Sequence, residues 1–166
     1  MKKIKSPRNI SISLIITFIL AIIGTFLGLE GMEEWYPSLI KPLDVPLWLF
    51  AIVQPLYYII CIVIMYRLLT YKENKREKFT SLFLLLFMMI YAEVWNYFFL
   101  GLKSVSTGFW TLLIFAGIVL LLFQNLYKSD NKSARLLIPY LIWLIVDCVW
   151  MYSLWEANSY QFGPSS

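Results

Sequence analysis

The chain contains no histidine among its 166 residues. That excludes His-ligated zinc, His-ligated haem and any Ser-His or Cys-His catalytic pair. Cysteine is scarce, and Cys61 and Cys148 both lie inside apolar runs, so neither a disulfide framework nor a cysteine metal site is indicated. Charge is sparse as well: 14% of residues are Asp, Glu, Lys or Arg, against about a quarter in ordinary soluble domains. The net charge of +4 does not point to nucleic acid, because the basic residues sit between apolar runs. What fills the chain is hydrophobic, 60% of it, with 18% aromatic and a mean hydropathy of +0.71. Runs of this length read as an all-α integral membrane protein whose partner is the lipid bilayer.

Five spans are expected, at about residues 10–29, 46–70, 79–101, 106–127 and 134–157, forming one transmembrane domain. Residues 1–9 form a basic N-terminus and 159–166 a polar tail. The basic start followed by an apolar run has the look of a signal peptide. The run is long for one, however, and lacks a small-residue cleavage site, so it reads as a retained span. Its Ser13, Thr17, Gly24 and Gly28 fall on roughly one face, where another helix can approach closely. Residues 30–45 form a long loop with acids, prolines, Trp35, Tyr36 and Lys41, a lid or binding segment rather than a bare connector. In the second span Pro55 is expected to kink the helix beside Gln54, Tyr57 and Tyr58. Ser133 is the expected N-cap of the fifth helix.

Lys and Arg set the orientation. Twelve of the fourteen fall at the N-terminus, between spans two and three, and between spans four and five; only Lys41 and Lys103 lie on the other side. The positive-inside rule therefore puts the N-terminus in the cytoplasm and the long loop and C-terminus outside, in what reads as a bacterial cytoplasmic membrane.

The organising stretch is the fifth span, which carries an acid, Asp147, near its middle, well inside Arg135 and Glu156 at its ends. Such an acid costs roughly 2.5–3.5 kcal/mol on insertion scales and so calls for a role. Trp143, Trp150 and Met151 share its helical face. The third span carries a second acid, Glu93, with Trp95, Asn96 and Tyr97 around it. Glu93 lies about 21 Å and Asp147 about 20 Å from the cytoplasmic ends of their spans, at similar depth. No Lys or Arg shares that layer. Two such carboxyls facing one interior can stay protonated, share a proton or hold a cation.

Residues 31–158 resemble the TspO/translocator-protein family of tryptophan-rich sensory proteins. The sequence ARLLIPYLIW at 134–143, followed by Trp155 and Asn158, is similar to the family's A-R-L-L-x-P-Y-L-x-W…N ending. WYPSLIKP at 35–42, Pro46 with Trp48, residues 56–58, and Trp95 with FFLG at 98–101 match further family patterns. The resemblance implies a five-helix bundle, often a homodimer, with a pocket under the first loop for hydrophobic or tetrapyrrole ligands such as porphyrins. It implies no resident cofactor. Several pocket positions depart from the family: Asp44, Gln54 and Glu93 stand where it has Trp, Ala92 and Met151 where it has Asn, and Asp147 where it has a small residue.

The expected site is therefore Glu93 and Asp147 clamping a hydrophobic, cationic aromatic ligand, walled by Trp95, Trp143 and Trp150, with Trp35, Tyr36, Gln54, Tyr57, Tyr58, Tyr97 and Met151 completing it. The expected function is a sensor or binding protein, with no catalytic residue assigned. A proton-coupled exporter of small cationic compounds using the same two acids is the first alternative, and a tetrapyrrole-degrading enzyme the second.

Overall fold

The computed structural model describes residues 6–70 and 75–159. Lys2, Lys3, Lys5 and Lys72 of the charge count, and the tail from 160 onward, lie outside the described residues. Five helices are long and apolar enough to cross a membrane. They are α1 (Pro7–Glu30), α2 (Leu47–Thr70), α3 (Lys75–Asn96), α4 (Val105–Ser129) and α5 (Asn131–Asn158). Helix α1 packs on α2 and α3, α2 also on α3 and α5, and α4 on α3 and α5. The helices thus form a closed ring in the order α1, α2, α5, α4, α3.

On α1 small and polar side chains face inward, where helices approach closely, and large apolar ones face outward. The buried residues of α1 are Ser13, Thr17, Gly24 and Gly28, while Phe18 and Phe26 are exposed. This is the polarity expected where lipid, not water, covers the outside. Helix α4 is the most enclosed, contributing Leu112, Phe115, Val119 and Leu122 to the core.

Polar clasps close both ends of the ring. At the end expected to be cytoplasmic, Asn9 Nδ2 donates to the Leu69 carbonyl at 3.1 Å and Ser81 Oγ to Asn125 Oδ1 at 2.6 Å. Arg67 donates to both carboxylate oxygens of Asp130, at 2.9 and 2.6 Å, tying α2 to the α4–α5 turn. Ser133 belongs to this cluster. Its hydroxyl donates to Asp130 Oδ2 and accepts from Arg67. It is therefore not the N-cap: α5 starts earlier, at Asn131, with Asp130 in the cap position, because the carboxylate recruits the serine hydroxyl instead.

At the opposite end the chain is more helical than the loop expected at 30–45. Helix α1 runs straight into a π-helical turn, Gly31–Trp35, and a short 3-10 turn, Tyr36–Ser38, before the chain leaves helical structure. A second π-helical turn, Tyr97–Gly101, extends α3. The two turns pack against each other at a very close approach: a Cβ on Gly31 would lie 2.1 Å from the Leu100 carbonyl oxygen. Glycine is what lets these backbones meet. Lys103, in the tight turn that follows, adopts a left-handed φ of 52°, and its ammonium is held 2.9 Å from Glu30 Oε1. Ser104 then caps α4, accepting from the Thr107 backbone N–H at 3.2 Å. Helices α2 and α5 continue unbroken through Pro55 and Pro139.

Candidate functional site

Two neighbouring cavities occupy the bundle beneath the Tyr36 turn. The larger, of about 340 Å³, lies among α1, α2 and α3, with Tyr36 and Trp150 over it. Its aromatic walls are Tyr36, Phe50, Tyr58, Trp95, Phe99 and Trp150, and its floor on α1 is Ala21, Gly24, Thr25 and Gly28. Gln54 and Asn96 bring amides into it. The smaller, of about 70 Å³, lies among α2, α3, α4 and α5 and contains Asp147, Tyr57, Tyr140 and Trp143. Phe50, Gln54, Trp95 and Asn96 line both, so they form the partition. Neither lining includes Lys or Arg.

The aromatic walls brace one another. Phe99 stands edge-on to Trp35 at 5.5 Å and to Trp150 at 6.0 Å between ring centroids, and stacks on Trp95 at 5.4 Å. Phe50 meets both Trp143 and Trp150, at 5.5 and 5.0 Å. Such pairs are each worth about 0.5–1.5 kcal/mol beyond their burial. The Trp95 indole N–H donates to the Gly108 carbonyl at 2.9 Å, which fixes the ring that separates the cavities. The Lys41 ammonium sits 4.5 Å above the Tyr36 ring, outside both linings.

Glu93 is 2% exposed and lines neither cavity directly. Its Oε1 accepts from the Tyr58 hydroxyl at 2.9 Å and its Oε2 from Asn96 Nδ2 at 3.2 Å. Both donors line the larger cavity. The carboxyl lies against Gly24: a Cβ there would fall 1.6 Å from Oε2. A glycine thus makes room on α1 for the acid of α3.

The expected site residues divide accordingly. Trp95 and Gln54 line both cavities; Tyr36, Tyr58 and Trp150 the larger; Asp147, Tyr57 and Trp143 the smaller. The two acids occupy separate surroundings, Glu93 at the α1–α2–α3 contact and Asp147 in the small cavity on α5. Besides Glu93, three expected residues line neither. Trp35 braces Phe99 from behind. Met151 is fully buried with its methyl against Gly108. Tyr97 is 43% exposed, because one residue beyond Asn96 the helix has turned by about 100° and points outward.

Sequence reasoning passed over Phe50, Phe99 and Tyr140 as wall residues and treated Gly24 and Gly28 as helix packing. Asn96 was legible at i+3 from Glu93, on the same helical face. Tyr140 lies two turns from Asp147 and was legible by the same spacing. The glycines gave no such signal, since the group that needs their space comes from another helix.

These features define a polytopic helical membrane protein with ligand-sized space inside its bundle. The family model of the TspO/MBR family matches residues 12–156, nearly the whole chain. The chain belongs to the TspO/MBR family. Among curated proteins no relative matches it.

Proposed function

We propose that this TspO/MBR protein is a membrane sensor or binding protein whose larger cavity takes a hydrophobic, aromatic ligand bearing a cationic amine. The first loop, and with it the end of the bundle that holds the cavities, faces the outside of the cell. The observation that carries this reading is the lining. Six aromatic side chains and the Gln54 and Asn96 amides surround about 340 Å³, within the range of small-molecule sites. Among the described residues that line this space there is no Lys or Arg, and the Glu93 carboxyl stands behind Gly24, bonded by Tyr58 and Asn96 of the lining. Aromatic faces attract cations by about 0.5–2 kcal/mol each, more when water is excluded. The Trp150 indole N–H, buried beside the Tyr36 hydroxyl but without a close hydrogen bond among the described residues, supplies one donor for an acceptor on the ligand.

The same lining disfavours the porphyrins that the family resemblance implies. A porphyrin carries carboxylates, which would meet Glu93 without a Lys or Arg in the wall to offset the repulsion.

The test is a tryptophan-fluorescence titration of the protein in lipid nanodiscs. Three probes are compared: a tricyclic tertiary amine, its uncharged carbon isostere and protoporphyrin. The amine is expected to bind about tenfold more tightly than the isostere, a difference of about 1.4 kcal/mol, and Glu93→Gln is expected to erase that preference. Equal affinity for amine and isostere in the wild type, or tightest binding by the porphyrin, would overturn the reading.

A further inference from the structure

The smaller cavity poses a separate question, because it surrounds an acid with oxygen atoms and no positive charge. Asp147 supplies the carboxyl, Gln54 and Asn96 amides, and Tyr57 and Tyr140 hydroxyls. Of the remaining walls, Trp143 turns its indole N–H toward Asp147, and Leu112 and Phe115 of α4 are apolar. Asn96 gives one N–H to Glu93, and its carbonyl oxygen makes no hydrogen bond that fixes it elsewhere among the described residues. The Tyr57 hydroxyl is the independent sign of a missing partner. The residue is 2% exposed, and its oxygen has no hydrogen-bond partner among the described residues. Cys61, one turn on, offers only a weak one. Leaving a buried hydroxyl unpaired costs about 1–3 kcal/mol, so such groups are rare unless something occupies the space beside them.

We propose that this cavity is a binding site for one monovalent inorganic cation, held by Asp147 with oxygens of Gln54, Asn96, Tyr57 and Tyr140. The donor set is all oxygen, which suits a hard cation rather than a soft one. Charge balance selects the valence: Asp147 neutralises a single positive charge, whereas a divalent ion would leave a net charge inside the hydrocarbon layer. The space, about 70 Å³, suits a sodium- or potassium-sized ion with a water better than an organic ammonium. The partition residues Phe50, Gln54, Trp95 and Asn96 also face the larger cavity. Ion occupancy therefore biases the shape of that cavity, and linkage makes the effect reciprocal. The ion site itself stands without the ligand reading.

The experiment uses the full chain in lipid nanodiscs with no organic ligand present. Sodium, potassium or lithium chloride replaces choline chloride at constant ionic strength, and thermal unfolding is followed by tryptophan fluorescence. At least one of the three ions is expected to raise the melting temperature saturably, by several degrees. Asp147→Asn is expected to abolish the response, and Asp44→Asn, an exposed acid of the first loop, to keep it. Should Asp147→Asn fail to fold, Tyr57→Phe, which deletes only the hydroxyl, is expected to raise the half-saturating ion concentration at least threefold. Identical melting in all four salts would overturn the proposal. So would an undiminished response in Asp147→Asn, or, where that variant does not fold, an unchanged midpoint in Tyr57→Phe.

Discussion

Trp150 combines two properties that one substitution separates. Its ring packs on Tyr36, Phe50 and Phe99, and its N–H is buried beside the Tyr36 hydroxyl without a close hydrogen bond among the described residues. Trp150→Phe keeps most of the ring and removes the donor. A neutral hydrogen bond is worth about 1 kcal/mol net. The variant is therefore expected to bind an acceptor-bearing amine about fivefold more weakly, by fluorescence or calorimetric titration, and a hydrocarbon analogue with nearly unchanged affinity. An equal loss for both probes would assign the effect to lost packing instead. Glu93 shows how far single residues could be read in advance. An acid in an apolar span declared itself, and helical spacing supplied Asn96. That its carboxyl would bond Tyr58 and rest on Gly24 depends on how α1, α2 and α3 are rotated about their axes, which one helix's periodicity does not encode. Likewise, the equal depth of Glu93 and Asp147 fixes a layer, not a direction within it.

Among the elements, the two π-helical turns are the most sensitive contact. A side chain on Gly31 would meet the backbone of Leu100, with the carbonyl oxygen at 2.1 Å and the carbonyl carbon at 2.7 Å. Backbone cannot rotate away, so Gly31→Ala must separate the turns. Overpacking of this kind costs about 1–3 kcal/mol or more, and a melting temperature lowered by several degrees is expected. Gly24→Ala meets a flexible carboxyl instead. Its expected signature is weaker amine binding with a smaller loss of stability, as Glu93 swings off Tyr58 and Asn96. At the other end, the α2 to α4–α5 clasp predicts a pH dependence. Burial pushes the Asp130 carboxyl up, but the hydrogen bonds from Arg67 and Ser133 and the Arg67 charge outweigh it and hold the carboxyl below its usual range. A depressed native value means stability that is complete above the unfolded value, about 4, and lost as pH falls through the native one. Wild-type melting is expected to drop in that acid window, and Asp130→Asn to melt lower at pH 7 with a flatter acid profile. A variant that melts like the wild type at every pH would remove the clasp from the account. Of these elements, the apolar runs were plain in the sequence. The continuation of α1 through residues 31–38 was not, because prolines and acids there read as loop while packing against 97–101 holds the turns in helical form.

For the molecule as a whole, the five-span bundle and its family were legible because each span's apolar run is long and the motifs at 35–42 and 134–143 are distinctive. The cavities were not, since they arise from residues on every helix of the ring. What closes them is a long-range contact near the chain's end. Asn158, 1% exposed, accepts from the Ile40 backbone N–H at 3.1 Å and donates to its carbonyl at 2.9 Å. This pins the first loop to α5 over the Tyr36 turn. Asn158→Ala is expected to raise both the association and dissociation rates of the amine severalfold in stopped-flow fluorescence, with a smaller change in affinity. Rates equal to wild type would mean that the loop does not gate the cavity. The most direct measurement of the central claim is photo-crosslinking. A tricyclic amine bearing a diazirine is activated in nanodiscs and the labelled peptides are mapped by mass spectrometry. Label on Met32, Tyr36, Asn96 or Trp150, competed by the parent amine and reduced in Glu93→Gln, is the predicted result. Label confined to outward-facing residues such as Phe18 and Phe26, and not competed, would contradict it.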